Sequence, residues 1–270
     1  MADVLCSIEE ARLAGTLRTV QRKTKYFNYE FLVRSEEEIK FNISQNISVK
    51  PAGGEYFKPL FIPHYAQSGL PLSIDDLNHE DVWLDAGGHI GIFATRLLTQ
   101  FPRIKKVHSY EPFHNNVEFA QQNLQMNGVF DKCELHEKAL VSGDETVVPF
   151  YLSQDSGKHS VHHIRGRAET LVPAENINSV ILEKGITCIK MDIEGMEYDI
   201  ITKMNKESFN KLRLFICEYH FHYSWLLDNR ASKFNQVLQI FRDNFDQLFV
   251  NPLTANGKHF ITHFAGFKNI

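Results

Sequence analysis

The chain has 270 residues, of which 43% are hydrophobic and 23% are charged, and its formal net charge is −4. This composition suits a globular domain with a substantial core, and one α/β domain of this length is ordinary. The chain has no long run of Lys or Arg, which argues against a nucleic-acid partner. No stretch approaches roughly 18 continuous apolar residues and the first residues lack signal-peptide features, so we expect a cytoplasmic protein without a transmembrane segment.

The first part of the chain differs from the rest. The spacing of apolar residues predicts a helix over residues 7–22, and the following segments are polar, aromatic and broken by Pro and Gly. We expect residues 1–80 to form an N-terminal extension or cap, and residues 81–270 to form the main domain. The extension is compatible with a lid over a pocket, a partner-binding segment or a dimer contact. The oligomeric state cannot be read from the sequence.

From residue 82 onward, short β-rich runs alternate with amphipathic segments, which is the pattern of βαβ units. The predicted class is therefore α/β, with a mainly parallel sheet and a terminal antiparallel hairpin. The predicted strands cover residues 82–85, 107–111, 133–137, 145–152, 186–192, 212–218, 247–250 and 259–267. The predicted helices cover residues 91–100, 115–127 and 231–244, with another starting near Gly195. Residues 153–167 are polar and predict a long loop.

Four cysteines are present without C-x-x-C spacing, and three of them fall in apolar runs that predict strands. We expect buried, reduced thiols. The cysteines are Cys6, Cys133, Cys188 and Cys217.

A glycine-rich segment, DAGGHIG at residues 85–91, directly follows a predicted strand and opens a helix. Glycines let backbone amides approach a ligand closely, and a helix N-terminus favours electronegative groups. Glu111 ends the next strand about 20 residues later, where a carboxylate can accept ribose hydroxyls. The glycines alone are equally compatible with a simple tight turn. Together with Glu111 they predict a nucleoside cofactor.

Two nucleoside cofactors fit this spacing. Ala86, Gly88 and Gly91 form a degenerate version of the nicotinamide dinucleotide fingerprint, which keeps an oxidoreductase open as an alternative. Asp85 argues against it, because its charge would repel a pyrophosphate and attract the ammonium group of a methionine moiety.

The segment at residues 85–91 resembles the D-x-G-x-x-x-G motif of class I S-adenosylmethionine-dependent methyltransferases. Residues 189–197 (IKMDIEGME) resemble the K-x-D-x-E-G-x-E signature of the FkbM family. The resemblance covers roughly residues 80 to 265. It implies a Rossmann-like, seven-stranded, mainly parallel sheet with helices on both faces and an antiparallel terminal strand. It also implies S-adenosylmethionine as the cofactor and O-methylation of a sugar, a glycan or a related small molecule. A non-catalytic module that keeps the cofactor fold is the alternative from another class.

The resemblance also implies where the cofactor lies, at the carboxyl ends of the first strands, as the rule for open α/β sheets requires. The residues so assigned are Asp85, Gly87 and Gly91 for the methionine end and Glu111, Pro112 and Glu137 for the adenosine. A turn role explains Pro112 equally well.

Three further residues follow the central strands. Asp192 and Glu218 end the fourth and fifth main strands, and His220 lies two residues beyond Glu218. Two carboxylates and one imidazole suit Mg²⁺ or Mn²⁺, so we predict that these three bind a divalent ion that holds the acceptor. The alternative is metal-free catalysis with His220 or Asp192 as the base. Helix capping before Gly195 is a structural explanation for Asp192 or Glu194.

Two other groups of side chains have open roles. The polar loop residues either contact acceptor hydroxyls or are solvated; they are His159, Ser160, His162, His163 and Arg165. The aromatic residues after the fifth strand either pack in the core or form a wall or stacking platform for a sugar ring; they are Tyr219, Phe221, Tyr223 and Trp225.

Overall fold

The computed structural model describes residues 7–23, 28–34, 80–153, 159–161, 168–221, 230–250, 254–256 and 259–268. The helices are α1 Ile8–Leu13, α2 Ile92–Gln100, α3 His114–Met126, α4 Ile177–Lys184, α5 Glu197–Ile201, α6 Lys206–Lys211 and α7 Arg230–Asn244, with a short 3-10 helix at Phe130–Lys132. The strands are β1 Arg18–Lys23, β2 Asn28–Val33, β3 Val82–Ala86, β4 Lys106–Tyr110, β5 Cys133–His136, β6 Ala139–Val141, β7 Val147–Leu152, β8 Ala168–Asn176, β9 Cys188–Met191, β10 Leu214–Phe221, β11 Gln247–Val250, β12 Thr254–Asn256 and β13 His259–Phe267.

The helix predicted over residues 7–22 is wrong beyond residue 13. Ser7 and Glu10 form a capping box that starts α1, and Gly15 then takes the left-handed conformation, with φ of 67°. This conformation ends a helix, and the β-branched residues that follow favour an extended chain. The chain continues instead as an antiparallel hairpin in which β1 pairs with β2.

The described residues belong to two compact units. The first comprises residues 1–81, 88–137 and 153–158. In this unit β4 and β5 are parallel neighbours, and the hairpin packs with α1, α2 and α3 around a buried apolar cluster. The members of the cluster are Ala11, Phe31, Val33, Ile90, Ile92 and Phe119.

The side-chain amides of Asn123 in α3 and of Asn127, which caps the C-terminus of α3, bind the backbone of β2. The Leu32 amide donates to Asn123 Oδ1 at 2.5 Å, and the Glu30 amide donates to Asn127 Oδ1 at 2.9 Å. These bonds satisfy backbone groups that an edge strand would otherwise leave to solvent. The described part of the N-terminal segment is therefore bound to α3 by polar as well as apolar contacts. The boundary at residue 80 stays a prediction.

The second unit comprises residues 82–87, 138–152 and 159–270. Its larger sheet has the order β11-β13-β10-β9-β3, in which β3, β9 and β10 are parallel and β13 is antiparallel to both β10 and β11. A separate three-stranded sheet has the order β6-β8-β7. The predicted strand at residues 145–152 is therefore present as β7 but belongs to this second sheet, and β8 was not predicted.

The predicted fold class is confirmed. The chain is a mixed α/β protein whose strands β3, β4, β5, β9, β10, β11 and β13 give a Rossmann-like, mostly parallel sheet of seven strands, with β12 as a short addition beside β13. Cys133, Cys188 and Cys217 are buried free thiols, as predicted, and Cys6 lies outside the described residues. Among the helices of the described segments, none combines the length and the apolar character needed to span a bilayer.

Candidate functional site

The glycine-rich turn begins at the end of β3 with Gly87, which has φ of 83°. A Cβ atom at Gly87 would lie 1.8 Å from the carbonyl oxygen of Asp192. The Asp192 amide also donates to the carbonyl of Ala86 at 3.0 Å. Gly87 therefore has a structural reason to be glycine, because the backbone after β9 occupies the space of any larger side chain.

Asp85 is fully buried, and Lys190 lies beside it. Lys190 Nζ is 3.3 Å from Asp85 Oδ1 and donates to the carbonyl of Gly87 at 2.8 Å. Burial alone would lower the pKa of Lys190, but the Asp85 carboxylate and then Asp192 outweigh it and raise the pKa. Sequence reasoning did not assign Lys190, although it opens the K-x-D motif. In the structure, the cation facing Asp85 belongs to the protein itself.

Glu111 lies in the first unit, where three donors hold its carboxylate. Its Oε2 accepts from the His89 amide at 2.9 Å, and its Oε1 accepts from the Phe113 amide at 3.0 Å and from Asn116 Nδ2 at 3.2 Å. His89 takes a left-handed conformation with φ of 48°, which is uncommon for a residue with a side chain. Glu111 is thus buried and held in one orientation between the turn and the start of α3.

The other predicted cofactor residues of the first unit have varied surroundings. Gly91 has φ of 78°, and a Cβ atom there would lie 3.0 Å from Ala120 Cα, so close helix packing requires glycine. Pro112 is half-buried between Glu111 and α3. Glu137 is exposed and lies 2.8 Å from His114 Nδ1, and this hydrogen bond raises the pKa of His114. Their roles toward a cofactor stay predictions.

At the carboxyl ends of β9 and β10, four carboxylates surround one imidazole; we call this group the acidic cluster, and its members are Asp192, Glu194, Glu197, Glu218 and His220. His220 Nε2 lies 3.5 Å from Glu218 Oε1, 3.5 Å from Glu194 Oε2 and 4.0 Å from Asp192 Oδ1. One ligand atom from each of Asp192, Glu218 and His220 lies within 4.8 Å of the others. The structure therefore brings the three predicted metal ligands together.

Glu197 fixes the other side of the imidazole. Its Oε1 lies 3.0 Å from His220 Nδ1 and accepts from the amides of Ile193 and Gly195 at 3.2 and 3.1 Å. Burial opposes the charge of Glu197, but His220 and then the Gly195 amide lower its pKa. A histidine bonded at one nitrogen to a carboxylate presents the other nitrogen in a defined orientation, as metal-binding histidines usually do. Sequence reasoning missed this role of the last residue in the motif.

The acidic cluster brings four carboxylates close to His220, and Lys190 Nζ lies 3.8 Å from Asp192 Oδ2 at its edge. Burial, with the nearby Asp192 and Glu218 carboxylates, raises the pKa of Glu194 to about 8 although His220 opposes the shift. Burial and then Asp192 raise the pKa of Glu218. Burial disfavours the charged form of His220, but Glu194 and Glu197 outweigh it and raise its pKa well above the ordinary value. The group therefore retains protons or requires a cation.

The capping explanation for Asp192 and Glu194 is wrong. The N-cap of α5 is Met196, which makes no side-chain capping bond. Glu194 instead has φ of 55°, and its carbonyl accepts a hydrogen bond from Ser160 Oγ at 2.7 Å. The strained backbone of Glu194 is thus held by a residue from the segment after β7.

The two residue groups with open roles divide as follows. Ser160 and His159 are buried, and the His159 ring contacts Phe150, so these two are not simply solvated. Tyr219 and Phe221 pack against Phe234 with ring centroids 5.0 and 5.1 Å apart, which assigns both to the core. The remaining residues lie outside the described part of the chain: His162, His163, Arg165, Tyr223 and Trp225.

A family model described as the methyltransferase FkbM domain matches residues 85–248, which is more than half of the chain and includes both motifs. No curated protein sequence matches the chain.

Solved structures give distant matches. M. jannaschii TYW2 in complex with AdoMet has 10% sequence identity and a TM-score of 0.42, over 93% of this chain and 87% of that one. M. capricolum TrmK in complex with S-adenosylhomocysteine has 10% identity and a TM-score of 0.42, over 73% and 67%. Precorrin-6y C5,15-methyltransferase from Geobacter metallireducens has 12% identity and a TM-score of 0.39, over 72% and 85%.

Proposed function

Because the chain belongs to the FkbM family of methyltransferases, we propose that it transfers the methyl group of S-adenosylmethionine to a hydroxyl group of a sugar, a glycan or a related small molecule. The acidic cluster is the observation that supports an oxygen atom as the methyl acceptor. An alcohol must lose its proton during transfer, so a site for it needs a base or a cation that lowers the pKa of the hydroxyl.

A divalent cation fits the residues of this cluster. Two carboxylates and one imidazole are suitable ligands for Mg²⁺ or Mn²⁺. Asp192, Glu218 and His220 would hold the ion, which would lower the pKa of an acceptor hydroxyl. Glu197 keeps the imidazole oriented, and the excess of negative charge supports cation binding.

The metal-free alternative meets an obstacle at His220. A histidine whose pKa is raised well above its ordinary value is protonated at neutral pH and cannot accept another proton. Without a cation, the base would have to be a carboxylate such as Asp192.

For the methyl donor, we propose that Glu111 binds the ribose hydroxyls and that Asp85, Gly87 and Gly91 serve the methionine end. Pro112 and Glu137 remain candidates near the adenine. S-adenosylmethionine supplies the electrophilic methyl group, and the chain's contribution is to orient the acceptor oxygen and remove its proton. Three donors hold Glu111 in one orientation, which supports this assignment, because a carboxylate that is already fixed loses little conformational entropy when a ligand binds.

The first experiment is calorimetric titration of the purified protein with S-adenosylmethionine, S-adenosylhomocysteine and NAD⁺. We expect both methionine-derived ligands to bind and NAD⁺ not to bind. Binding of NAD⁺ alone would contradict the proposal in favour of the oxidoreductase alternative.

The second experiment measures S-adenosylhomocysteine release with a panel of sugar and glycan acceptors, after chelation and after addition of Mg²⁺ or Mn²⁺. We expect activity to require the metal and to be strongly reduced in Asp192→Asn. The matched control is Asp243→Asn, an exposed carboxylate on α7, which should behave as the wild type. Full activity in the chelated enzyme would overturn the metal assignment, and donor binding without turnover on any acceptor would favour a non-catalytic module.

A further inference from the structure

Three metal-ligating side chains converge on β4 and β5, separately from the residues assigned to methyl transfer. His108 Nδ1 lies 3.2 Å from His136 Nε2. Glu134 Oε2 lies 3.7 Å from His108 Nδ1, and Glu134 Oε1 lies 3.5 Å from His136 Nε2. One carboxylate thus faces two imidazole nitrogens that already face each other.

The strand register explains the convergence. His108 is paired with Glu134 across the parallel strands, and His136 is paired with Tyr110. Because side chains two residues apart on a strand share a face, all three ligands lie on one face of the pair. The position follows from the backbone and not from one adjustable loop.

The separations match those of a small tetrahedral ion. With Zn²⁺ bonded to nitrogen and oxygen at about 2.0–2.2 Å, two ligand atoms of a tetrahedral site lie roughly 3.3–3.6 Å apart. The two nitrogens lie 3.2 Å apart, and each lies 3.5 or 3.7 Å from a different oxygen of Glu134. One ligand atom from each of the three residues lies within 4.8 Å of the others, so rotation of the accessible carboxylate would bring a single oxygen to both nitrogens. Two histidines and one glutamate also form a ligand set found in zinc sites that keep a fourth position for water.

The two histidines of this site are packed in the protein, whereas the glutamate is accessible to solvent. The side chains of His108 and His136 are 8% and 11% exposed, whereas that of Glu134 is 44% exposed. The ring of Tyr110 stacks on His136 with centroids 4.3 Å apart and restricts the rotation of the imidazole. Water can therefore reach the carboxylate side while the histidines stay packed.

We propose that His108 Nδ1, His136 Nε2 and a Glu134 oxygen bind Zn²⁺ or a similar transition-metal ion, and that the ion cross-links β4 and β5. Lys106 Nζ, 3.1 Å from Glu134 Oε2, occupies part of this space in the structure. Its side chain is 39% exposed, so it can move into solvent when the ion binds. The imidazole-rich set distinguishes this site from the oxygen-rich acidic cluster, which suits Mg²⁺.

The test is zinc titration of the chelated full-length protein by calorimetry, with Mg²⁺ in excess to occupy oxygen-rich sites. We expect the wild type to bind an equivalent of Zn²⁺ that Glu134→Gln and His136→Gln lose. Removal of a direct ligand should weaken binding by more than the roughly 10–100-fold that loss of a ligand's hydrogen-bond partner costs. Zinc should also raise the melting temperature of the wild type, and that increase should vanish in Glu134→Gln.

The matched control is Asp131→Asn, which removes an exposed carboxylate just before β5 and should leave zinc binding unchanged. Circular dichroism establishes that each variant is folded. If His136→Gln fails to fold, Glu134→Gln decides, because its half-exposed side chain tolerates replacement. Absence of Zn²⁺ binding in the wild type, or unchanged zinc affinity in folded Glu134→Gln, would overturn the site and leave a direct hydrogen bond between the two histidines.

Discussion

Glu111 and the acidic cluster both place carboxylates near the carboxyl ends of strands, but the surroundings of these carboxylates differ. Glu111 accepts hydrogen bonds from two amides and one side-chain NH₂ group. In the acidic cluster, four carboxylates share one imidazole, and Glu194 and Glu218 have raised pKa values. The first carboxylate is held by neutral hydrogen-bond donors. In the second group, two carboxylates are harder to ionise, and a bound cation would favour their ionised forms.

This difference separates two tasks in a methyltransferase. Binding a neutral ribose requires fixed acceptors, and hydrogen bonds from the backbone provide them with little reorganisation. Deprotonating an alcohol requires a group whose protonation changes near neutral pH, or a metal ion. The comparison predicts that substitutions in the acidic cluster lower kcat, whereas substitution of Glu111 raises the Kd for S-adenosylmethionine.

The largest effect is expected for Glu218→Gln. It removes a proposed ligand and one of the negative charges around His220, while its shape is conserved. We expect kcat to fall by about 100-fold or more, the scale seen when a group that stabilises developing charge is removed. The Kd for S-adenosylmethionine should change little. Steady-state kinetics and calorimetry measure the two constants.

The matched control for that variant is Glu183→Gln, an exposed carboxylate on α4. It should leave both constants at wild-type values. Equal losses in kcat and donor affinity for Glu218→Gln would break the comparison, because the acidic cluster would then contribute to donor binding.

The next effect is expected for Glu111→Gln, which should weaken S-adenosylmethionine binding by about 10–100-fold. A hydrogen bond to a charged group contributes about 1.5–3 kcal/mol, and each 1.4 kcal/mol corresponds to a tenfold change. At saturating donor, kcat should stay close to the wild type. Calorimetry checks the affinity, with Asp131→Asn as the control, and unchanged donor affinity in Glu111→Gln would remove it from the proposed ribose site.

A smaller, structural effect is expected for Gly87→Ala. The added methyl group would meet the Asp192 carbonyl, and the positive φ is unfavourable for alanine. Gly128 also has a positive φ, of 67°, but a Cβ there meets nothing within 4 Å. Gly128→Ala therefore measures the cost of the positive φ alone, a decrease of about 1–2 kcal/mol in the free energy of unfolding. Gly87→Ala should decrease that free energy by about 1–3 kcal/mol more, because the methyl group overpacks the turn. Denaturant unfolding measures both variants, and an equal decrease in the free energy of unfolding for the two would show that the turn can move away from Asp192.

The features predicted from the sequence are those that local pattern determines. The main strands, the glycine-rich turn and the position of Asp192 directly after β9 follow from periodicity and from residues adjacent in the chain. The prediction that Glu218 ends its strand was wrong, because β10 continues through His220 to Phe221 in its pairing with β13. The error at residues 7–22 arose because Gly15 ends α1 and the extended hairpin then packs on α3, a tertiary contact that apolar spacing does not encode.

Contacts that depend on register were not predictable in the same way. Lys190 faces Asp85 because β3 and β9 pair in one register, and His108 meets Glu134 because β4 and β5 do. A shift of one residue would turn these side chains to the other face. The role of Glu197 likewise depends on His220, 23 residues away in the chain.

The smallest effect is a pH dependence of stability in the chelated protein. The pKa of Glu194 is raised from 4.5 to about 8, so the folded state holds a proton that the unfolded state releases. The resulting stabilisation is complete below the unfolded value and is lost as the pH rises through about 8. The raised pKa of His220 changes stability in the same direction. The lowered pKa of Glu197 adds a stabilisation that is constant above about pH 5 and therefore does not affect the slope. We therefore expect the melting temperature to fall between about pH 6 and 9.

Glu194→Gln keeps a neutral side chain at every pH and should make this slope smaller, with the contributions of His220 and Glu218 remaining, whereas Glu183→Gln should retain the full slope. Added Mg²⁺ should also flatten the slope if the ion takes the place of the protons, since ionised carboxylates are then compensated in the folded state. Thermal melts followed by circular dichroism across this pH range measure all three cases. An identical slope in the wild type and Glu194→Gln would mean that the carboxylate is compensated in solution, as Glu111 is, and the contrast between the two regions would not hold.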